Sequence, residues 1–262
     1  MHKRRLIPVL FLQNGLMVRS EGFALHQVIG NPVSHVSRLM EWDVDELILL
    51  DIGMGAEAYD IGRDDHGERG ALNLLEFTSM IAETCAIPLT LGGRIRNIDD
   101  VRVRIQYGAD KVTLNTAIVE DPSLITRSAH IYGSQAIVAS VDYRFVDDAP
   151  IVFTKHATEN SGVDPITWSR QCEDRGAGEI FLNAIDRDGK ARGYDLETID
   201  AVSRSVSIPV IACGGAGHQM HFNSCFAETG ASAVAAGNIF HFKENAYPRA
   251  KKYLHGKRDD VR

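Results

Sequence analysis

Two similar stretches decide the fold: I-P-L-T-L-G-G at residues 87–93 and I-P-V-I-A-C-G-G at residues 208–215. Each is an apolar run that ends in a pair of glycines. A Gly-Ala pair follows each run, at Gly108 and Gly230, 16 residues after the first glycine of the pair. A half-barrel of four strands used twice explains this repeat, with one half near residues 1–134 and the other near 135–262.

Eight short apolar runs alternate with helical patterns along the whole chain. They are rich in Ile, Val and Leu, as is typical of parallel strands that are buried on both faces. This alternation leaves a closed barrel or an open doubly wound sheet, and the internal repeat favours a single (β/α)₈ TIM barrel over residues 1–262. The runs are Leu6–Phe11, Glu46–Ile52, Ile87–Leu91, Lys111–Asn115, Ala136–Asp142, Glu179–Ile185, Ile208–Cys213 and Ala233–Gly237.

Helix boundaries are marked by two kinds of signal. An N-cap residue stands before a proline in three places, and a glycine follows the last apolar position of three helices, where a left-handed residue is wanted. The pairs are Asn31-Pro32, Asp121-Pro122 and Asp164-Pro165, and the glycines are Gly108, Gly133 and Gly176.

Composition and charge limit the classes of function. Hydrophobic content of 44% and charged content of 24% are ordinary for a globular protein, and the net charge of −7 argues against nucleic-acid or anionic-membrane partners. The four cysteines show no C-x-x-C spacing, which fits reduced thiols in the cytoplasm. No run approaches the roughly 20 apolar residues of a membrane span, and we expect no metal and no cofactor.

The glycine pairs that end the third and seventh runs are the first functional signal. Glycines at strand ends let backbone amides approach a phosphate closely, and barrels often bind phosphate at this face. Residues 214–217 with Gly237 and Asn238 would form one site, and Gly92, Gly93, Asn115 and Thr116 its counterpart half a barrel away. Two opposed sites suit a ligand with a phosphate at each end. The alternative is that the glycines only relieve crowding in tight turns.

Carboxylates end two further strands. Asp142 closes the fifth run, and D-R-D-G at residues 186–189 follows the sixth. A carboxylate at the carboxyl end of a barrel strand is placed to act as a general acid or base. A helix cap at Asp142 and an ordinary turn at Asp188-Gly189 are the structural alternatives.

Charged residues stand at the beginning of four runs, where a barrel strand enters from the N-terminal face. Such side chains would meet around the barrel axis and close the barrel by mutual pairing, or serve as a plug for stability alone. They are Arg5, Glu46, Lys111 and Glu179.

Once these strands are placed, the chain resembles the HisF family, the cyclase subunit of imidazole glycerol phosphate synthase, from residue 3 to about 242. The string G-A-G-E-I-F-L-N-A-I-D-R-D-G is the most specific, because related barrels of histidine synthesis lack it. The matching strings occupy residues 45–52, 108–117, 132–138, 176–189, 193–195, 209–217 and 239–242.

The resemblance implies a heterodimer in which a HisH-type glutaminase docks on the N-terminal face and supplies ammonia through the barrel. In that family the ammonia reacts with a bisphosphorylated nucleotide to form imidazole glycerol phosphate. By this resemblance the ammonia gate is Arg5, Glu46, Lys111 and Glu179, the glutaminase contact is Asp110, and the phosphate positions are Gly93, Asn115, Thr116, Asp188, Gly189, Gly215, Gly237 and Asn238, the last two changed in type.

Three departures from the family pattern concern the opposite face. Phe11 replaces the first-strand Asp, the acid/base partner of the carboxylate at Asp142. Arg94 replaces a glycine of the phosphate turn, and Arg19 stands at the position of the cyclase lysine. Loss of a general acid or base typically costs ~10²–10⁴ in rate.

We therefore expect a HisF paralogue that conducts ammonia to a different acceptor, since paralogues of bacterial surface-polysaccharide pathways resemble this chain. In those pathways a separate sugar amidotransferase forms an acetamidino group. One alternative is a true cyclase in which another acid replaces the lost one, with candidates at Asp51, Asp60, Asp64 and Asp65. Another is a scaffold that only activates its glutaminase. The polar, Gly-rich stretch 53–71 is predicted to lie at the C-terminal face, as either a functional loop or a mobile insertion.

Overall fold

The computed structural model describes residues 3–53, 73–84, 87–242 and 244–262. Its strands are β1 (Arg5–Gln13), β2 (Leu16–Glu21), β3 (Leu25–Gly30), β4 (Leu47–Asp51), β5 (Leu89–Gly92), β6 (Lys111–Leu114), β7 (Ile137–Val146), β8 (Ala149–Thr154), β9 (Glu159–Asn160), β10 (Glu179–Ala184), β11 (Val210–Cys213) and β12 (Ala233–Ala236). Its helices are α1 (Pro32–Glu41), α2 (Leu74–Thr84), α3 (Ile98–Gln106), α4 (Thr116–Glu120), α5 (Ser123–Tyr132), α6 (Pro165–Asp174), α7 (Leu196–Ser205), α8 (Gln219–Glu228) and α9 (Ala246–His255).

Eight of these strands form a closed parallel barrel. In order around the barrel they are β1, β4, β5, β6, β7, β10, β11 and β12, and the pairing of β12 with β1 closes the circle. These eight strands coincide with the eight predicted runs. The (β/α)₈ fold class is therefore confirmed, whereas the half-barrel boundary near residue 134 stays a prediction.

The helices pack outside the barrel over a continuous apolar layer that includes Leu49, Val112, Ile180 and Val234. The predicted N-cap signals act as expected in α1 and α6, where the side chains of Asn31 and Asp164 accept backbone amides. At Asp121-Pro122 the helix begins one residue later than the proline pattern predicts, at Ser123. The predicted C-terminal glycines all have positive φ: 107° at Gly108, 83° at Gly133 and 102° at Gly176.

A second apolar cluster fills the barrel interior, with Val9, Ile48, Val138, Phe181 and Ile211 among its members. Side chains alternate between this interior and the helix layer because successive residues of a strand point to opposite faces. Both faces of every barrel strand are thus buried, which explains the continuous apolar runs. No helix within the described ranges is long and apolar enough to cross a membrane.

Two antiparallel hairpins, which the apolar runs did not predict, extend from the C-terminal face. One consists of β2 and β3 after β1, and the other of β8 and β9 after β7. Asn14 and Gly15 have φ of 51° and 79°, and Asp147 and Asp148 have φ of 49° and 62°. These two turns join β1 to β2 and β7 to β8. Two successive residues with positive φ are typical of such tight turns, so Asn14-Gly15 was an available signal in the sequence.

Candidate functional site

Four charged side chains meet in a ring at the N-terminal end of the barrel. Arg5 contacts the carboxylates of both Glu46 and Glu179, with an Nη1–Oε2 distance of 2.5 Å to Glu46. The Nζ atom of Lys111 lies 2.9 Å from one oxygen of each of the same two carboxylates. Each charge therefore touches two opposite charges, which is the arrangement that the sequence predicted.

The ring is buried and charged. The side chains of Glu46 and Glu179 are 3% and 7% exposed. Burial alone would raise the pKa of Glu46, but Arg5 and Lys111 beside it hold that pKa below its ordinary value. Burial also opposes the charge of Arg5, yet the two carboxylates raise its pKa overall. Beyond this ring the interior of the barrel is apolar.

At the opposite, C-terminal face the barrel opens into a cavity of about 510 Å³. Polar and charged groups line it together with a few apolar ones. Its walls come from the ends of β4, β5, β6 and β7, from the tip of the β2–β3 hairpin and from the β8–β9 turn. The lining includes Phe23, Asp51, Arg94, Thr113, Asn115, Thr116, Ser140, Asp142, Lys155 and His156.

Asp142 is held by two amide side chains. Asn115 donates to its Oδ2 at 3.1 Å and Asn183 donates to its Oδ1 at 3.0 Å. Burial raises the pKa of Asp142 to about 6, with the charge of Asp188 adding to the rise and the Asn183 amide opposing it. A carboxyl with this pKa exists in both protonation states near neutrality, so it can donate or accept a proton.

Phe11 lies at the end of β1 inside the barrel mouth, where it is 4% exposed. Its ring meets that of Phe23, from the tip of the β2–β3 hairpin, edge to face with centroids 5.7 Å apart. The mouth of the barrel thus carries an apolar ring pair at the first strand, and the carboxylate of Asp142 stands on the fifth.

Arg94 turns towards β4. Its Nε lies 2.9 Å from Oδ2 of Asp51, whose side chain is 1% exposed. The other oxygen of Asp51 accepts the backbone amide of Gly53 at 2.9 Å. Arg94 itself has a φ of 53°, which favours glycine over a side chain with a Cβ. Of the four acids considered as replacements for the lost one, Asp51 is thus engaged in an ion pair, and Asp60, Asp64 and Asp65 lie outside the described residues.

The two predicted phosphate sites differ in their surroundings. Gly93, Asn115 and Thr116 line the cavity. Among the described residues, the other five predicted positions are absent from its lining: Asp188, Gly189, Gly215, Gly237 and Asn238. A Cβ on Gly93 would lie 2.0 Å from the carbonyl oxygen of Asp51, and one on Gly215 would lie 2.2 Å from that of Gly193. Close packing alone thus requires both glycines, and phosphate binding at either stays a prediction.

Comparison with known proteins places the chain in a family. Residues 5–246 match the model of the family described as "Histidine biosynthesis protein". The imidazole glycerol phosphate synthase subunit HisF of Sulfurisphaera tokodaii is 41% identical over 262 residues, all of both chains. The chain belongs to the HisF family. The HisF subunit of Saccharolobus solfataricus is also 41% identical over 262 residues, and that of Hydrogenobaculum is 38% identical over 252, covering 96% of this chain and 95% of the relative.

Two more positions predicted from the HisF resemblance, Asp110 and Arg19, lie among the described residues. Asp110 is exposed at the start of β6, on the N-terminal face, where its Oδ2 accepts the amide of Leu89 at 2.8 Å. Arg19 lies on β2, and its Nε donates to Gln27 at 2.8 Å. Apart from Gly53, the stretch 53–71 lies outside the described residues, so its predicted roles stay predictions.

Three residues of this HisF-family site were missed at the sequence level. Asn183 fixes Asp142 from the neighbouring strand, Phe23 covers Phe11, and His156 lines the cavity from a turn in which Lys155, His156 and Ala157 all have φ between 49° and 64°. Burial lowers the pKa of His156, and the nearby Arg94 adds to this while Asp51 opposes it. Only Asn183 had a signal, since it lies in the family string at residues 176–189.

Proposed function

We propose that this HisF-family chain is the barrel subunit of a glutamine amidotransferase complex in the cytoplasm. It receives ammonia from a HisH-type glutaminase at its N-terminal face and delivers it through the barrel to an acceptor at the C-terminal face. The acceptor is not the histidine-pathway nucleotide. Its class is a sugar that gains an amidino group for surface polysaccharide, with a separate sugar amidotransferase as a further partner.

The ring of Arg5, Glu46, Lys111 and Glu179 supports the first half of this proposal. Two cations and two carboxylates satisfy one another at the N-terminal entrance. An apolar interior lies directly beyond them, with Val9 and Ile48 in its wall. Neutral ammonia crosses an apolar passage at far lower cost than ammonium does, because burying an unpaired charge is expensive.

The packing of Phe11 against Phe23 is the single observation that carries the second half. The reaction of the HisF relatives, as the resemblance describes it, needs two proton-transfer groups. Here one of the two positions holds an apolar ring buried under another ring, 5.7 Å away between centroids. A phenyl group transfers no proton, and the ring of Phe11 is 4% exposed beneath that of Phe23.

A true histidine-pathway cyclase is the second candidate function, and Asp142 favours it. This carboxyl is buried, bound by two asparagines and poised with a pKa of about 6. Such a group suits acid/base chemistry on an acceptor inside this chain. Asp51, the described candidate for a replacement acid, is paired with Arg94 instead.

The decisive experiment supplies the purified chain with the bisphosphorylated nucleotide of the histidine pathway and an ammonium salt. We expect no formation of imidazole glycerol phosphate above the uncatalysed background. The relative from Saccharolobus solfataricus, assayed in parallel, is the positive control for the substrate. A turnover rate within tenfold of that of the control would contradict the proposal and establish that this chain is a histidine-pathway cyclase.

A second experiment tests the glutaminase partnership separately. The chain is co-expressed with a HisH-type glutaminase from the same genome, and glutamine hydrolysis and complex formation are measured. Asp110→Lys should weaken the complex at least tenfold, because it reverses the charge of an exposed residue on the N-terminal face. Glu159→Lys, on the β8–β9 hairpin at the other end of the barrel, is the matched control and should have no effect.

A further inference from the structure

The predicted phosphate site on the β10–β12 side is covered by this chain's own residues. The β2–β3 hairpin folds over it. The amide of Gly22 donates to the carbonyl of Asp188 at 2.8 Å, and the amide of Phe23 donates to its Oδ2 at 3.2 Å. Asn238 donates its side-chain amide to the carbonyl of Ser20 at 2.7 Å. The side-chain amide of Asn238, a donor that a phosphate could use, is thus bound to the hairpin, and so are the carbonyl and carboxyl of Asp188.

The glycines of this covered site are also in contact with protein. A Cβ on Gly189 would lie 2.5 Å from the carbonyl oxygen of Ser20, so the hairpin backbone rests directly on this glycine. The ring of Phe11 lies 3.9 Å from the Cβ position of Gly237, and Cβ of Arg187 lies 3.2 Å from that of Gly215. Gly215 is buried, Gly237 is half-buried, and Gly189 is exposed on the side away from the hairpin contact.

The opposite site lies in the cavity, whose walls carry charges of both signs, including the carboxyl groups of Asp51 and Asp142. Asn115 and Thr116 line the cavity, and the Thr116 hydroxyl accepts the backbone amide of Lys155 at 3.0 Å. Arg94, Arg96, Lys155 and His156 border the same space. Each site has a carboxyl beside it, because Oδ2 of Asp142 lies 3.1 Å from the amide nitrogen of Asn115 and Asp188 stands in the covered site.

We propose that the C-terminal cavity takes an acceptor with a single phosphate, bound at Gly93, Asn115 and Thr116, and that the β2–β3 hairpin with Phe11 excludes a second phosphate. The proposal rests on the proposed function, because it names the class of acceptor to which the ammonia is delivered. It gives Phe11 a second role: its ring stands at the position of the family's first-strand acid and also lies 3.9 Å from the Cβ position of Gly237, while Phe23 packs on it.

The test compares ribulose 5-phosphate with ribulose 1,5-bisphosphate by calorimetric titration of the intact chain. We expect both sugars to bind, with Kd values that differ by less than threefold, because the second phosphate of the bisphosphate has no site to occupy. Asn115→Ala should weaken the monophosphate at least tenfold. A bisphosphate that binds wild type ten times more tightly than the monophosphate, or a wild type that binds neither sugar, overturns the proposal.

A variant with a shortened β2–β3 hairpin tests whether the hairpin is what excludes the second phosphate. Arg19 and Gln27 are paired across β2 and β3, so residues 20–26 can be replaced by Asn-Gly, which forms a two-residue turn. In this variant the bisphosphate should bind at least ten times more tightly than the monophosphate. Leu25→Ala is the matched control, since this side chain at the hairpin tip is 71% exposed, and it should behave as wild type. If the ratio of the two Kd values in the shortened variant equals that of wild type, the hairpin does not exclude the second phosphate.

Phe23→Ser keeps the length of the chain and serves if the shortened variant does not fold. It removes the ring that packs on Phe11 and should raise the preference for the bisphosphate at least threefold; an unchanged preference again contradicts the role of the hairpin. These titrations contain neither ammonia nor glutaminase. Their failure is therefore distinct from failure of the proposed function, which the cyclisation and glutaminase assays report.

Discussion

The rings of Phe11 and Phe23 meet at an angle of 80°, with centroids 5.7 Å apart, at the mouth of a barrel whose other end is closed by four charges. Phe11 comes from the first barrel strand and Phe23 from the hairpin that follows it. The contact joins the wall of the barrel to the hairpin above it, at the position where the HisF resemblance leads us to expect an acid.

Replacing Phe11 with Asp should create cyclase activity. The new carboxylate supplies a second proton-transfer group, and such a group contributes about 10²–10⁴ in rate. We expect ammonia-dependent cyclisation of the bisphosphorylated nucleotide to rise at least tenfold above the wild-type background, together with a lower Tm because a polar group enters an apolar cluster. Phe11→Leu is the control: an equal gain in this variant would mean that removal of the ring, and not the carboxylate, is responsible.

Replacing Asp142 with Asn should stabilise the protein at neutral pH. Since burial raises the pKa of Asp142 from 3.8 to about 6, the folded state binds this proton more tightly than the unfolded state. The stability of wild type therefore falls as pH rises from about 4 to 6, by about 3 kcal/mol in all. The free energy of unfolding, measured with denaturant between pH 4 and pH 8, should fall with pH in wild type and lose this dependence in Asp142→Asn. The same dependence on pH in both proteins would refute the prediction.

Glu46→Gln should destabilise the ring at the N-terminal face. Removing one partner of a buried ion pair leaves the others uncompensated, and we expect the free energy of unfolding at pH 7 to fall by about 3 kcal/mol. The folded-state pKa of Glu46 is lowered, so its contribution is present above its ordinary pKa of 4.5 and is lost as pH falls below that value. The difference between the free energies of unfolding at pH 7 and at pH 3 should therefore be smaller for the variant than for wild type. The control Glu159→Gln breaks an exposed pair with Lys155 and should change stability by less than about 1 kcal/mol.

Arg94→Gly should lower stability although it relieves the backbone. A glycine removes the left-handed strain of Arg94, worth about 1–2 kcal/mol, but leaves Asp51 buried without this partner, which costs about 3–5 kcal/mol. We expect a net loss of about 2 kcal/mol in denaturant unfolding. Adding Asp51→Asn should recover part of it. A double variant as unstable as the sum of the two single variants would show that the pair is not coupled.

The barrel strands were predictable because their pattern depends on local burial alone. A strand such as Leu47–Asp51 is covered by helices outside and by the barrel interior inside, so nearly every position is apolar and the run is visible in the sequence. The two hairpins project from the barrel, and their strands include exposed positions such as Leu25 and Val28. Their patterns are therefore weak, and the turns at Asn14-Gly15 and Asp147-Asp148 were the stronger signal.

The ring could be predicted from position, because charges at the first residue of several parallel strands converge at one end of a barrel. The partners at the other end could not. Asn183 reaches Asp142 across a strand pair 41 residues apart, and Arg94 reaches Asp51 across 43 positions of sequence. Such pairings depend on which strands are neighbours and which way each side chain turns.

The sequence by itself determined the closed barrel and the charged ring, because both follow from residue type and strand order, and it placed Phe11 where the HisF resemblance leads us to expect an acid. Only the tertiary structure decided what surrounds Phe11. The β2–β3 hairpin returns over the mouth, seats Phe23 on Phe11 and takes up the polar groups of Asp188 and Asn238. Although β2 pairs locally with β1, the hairpin tip is fixed by Asp188 and Asn238, which are far from it in sequence. Its position therefore depends on packing and hydrogen bonds that form only once the barrel has closed.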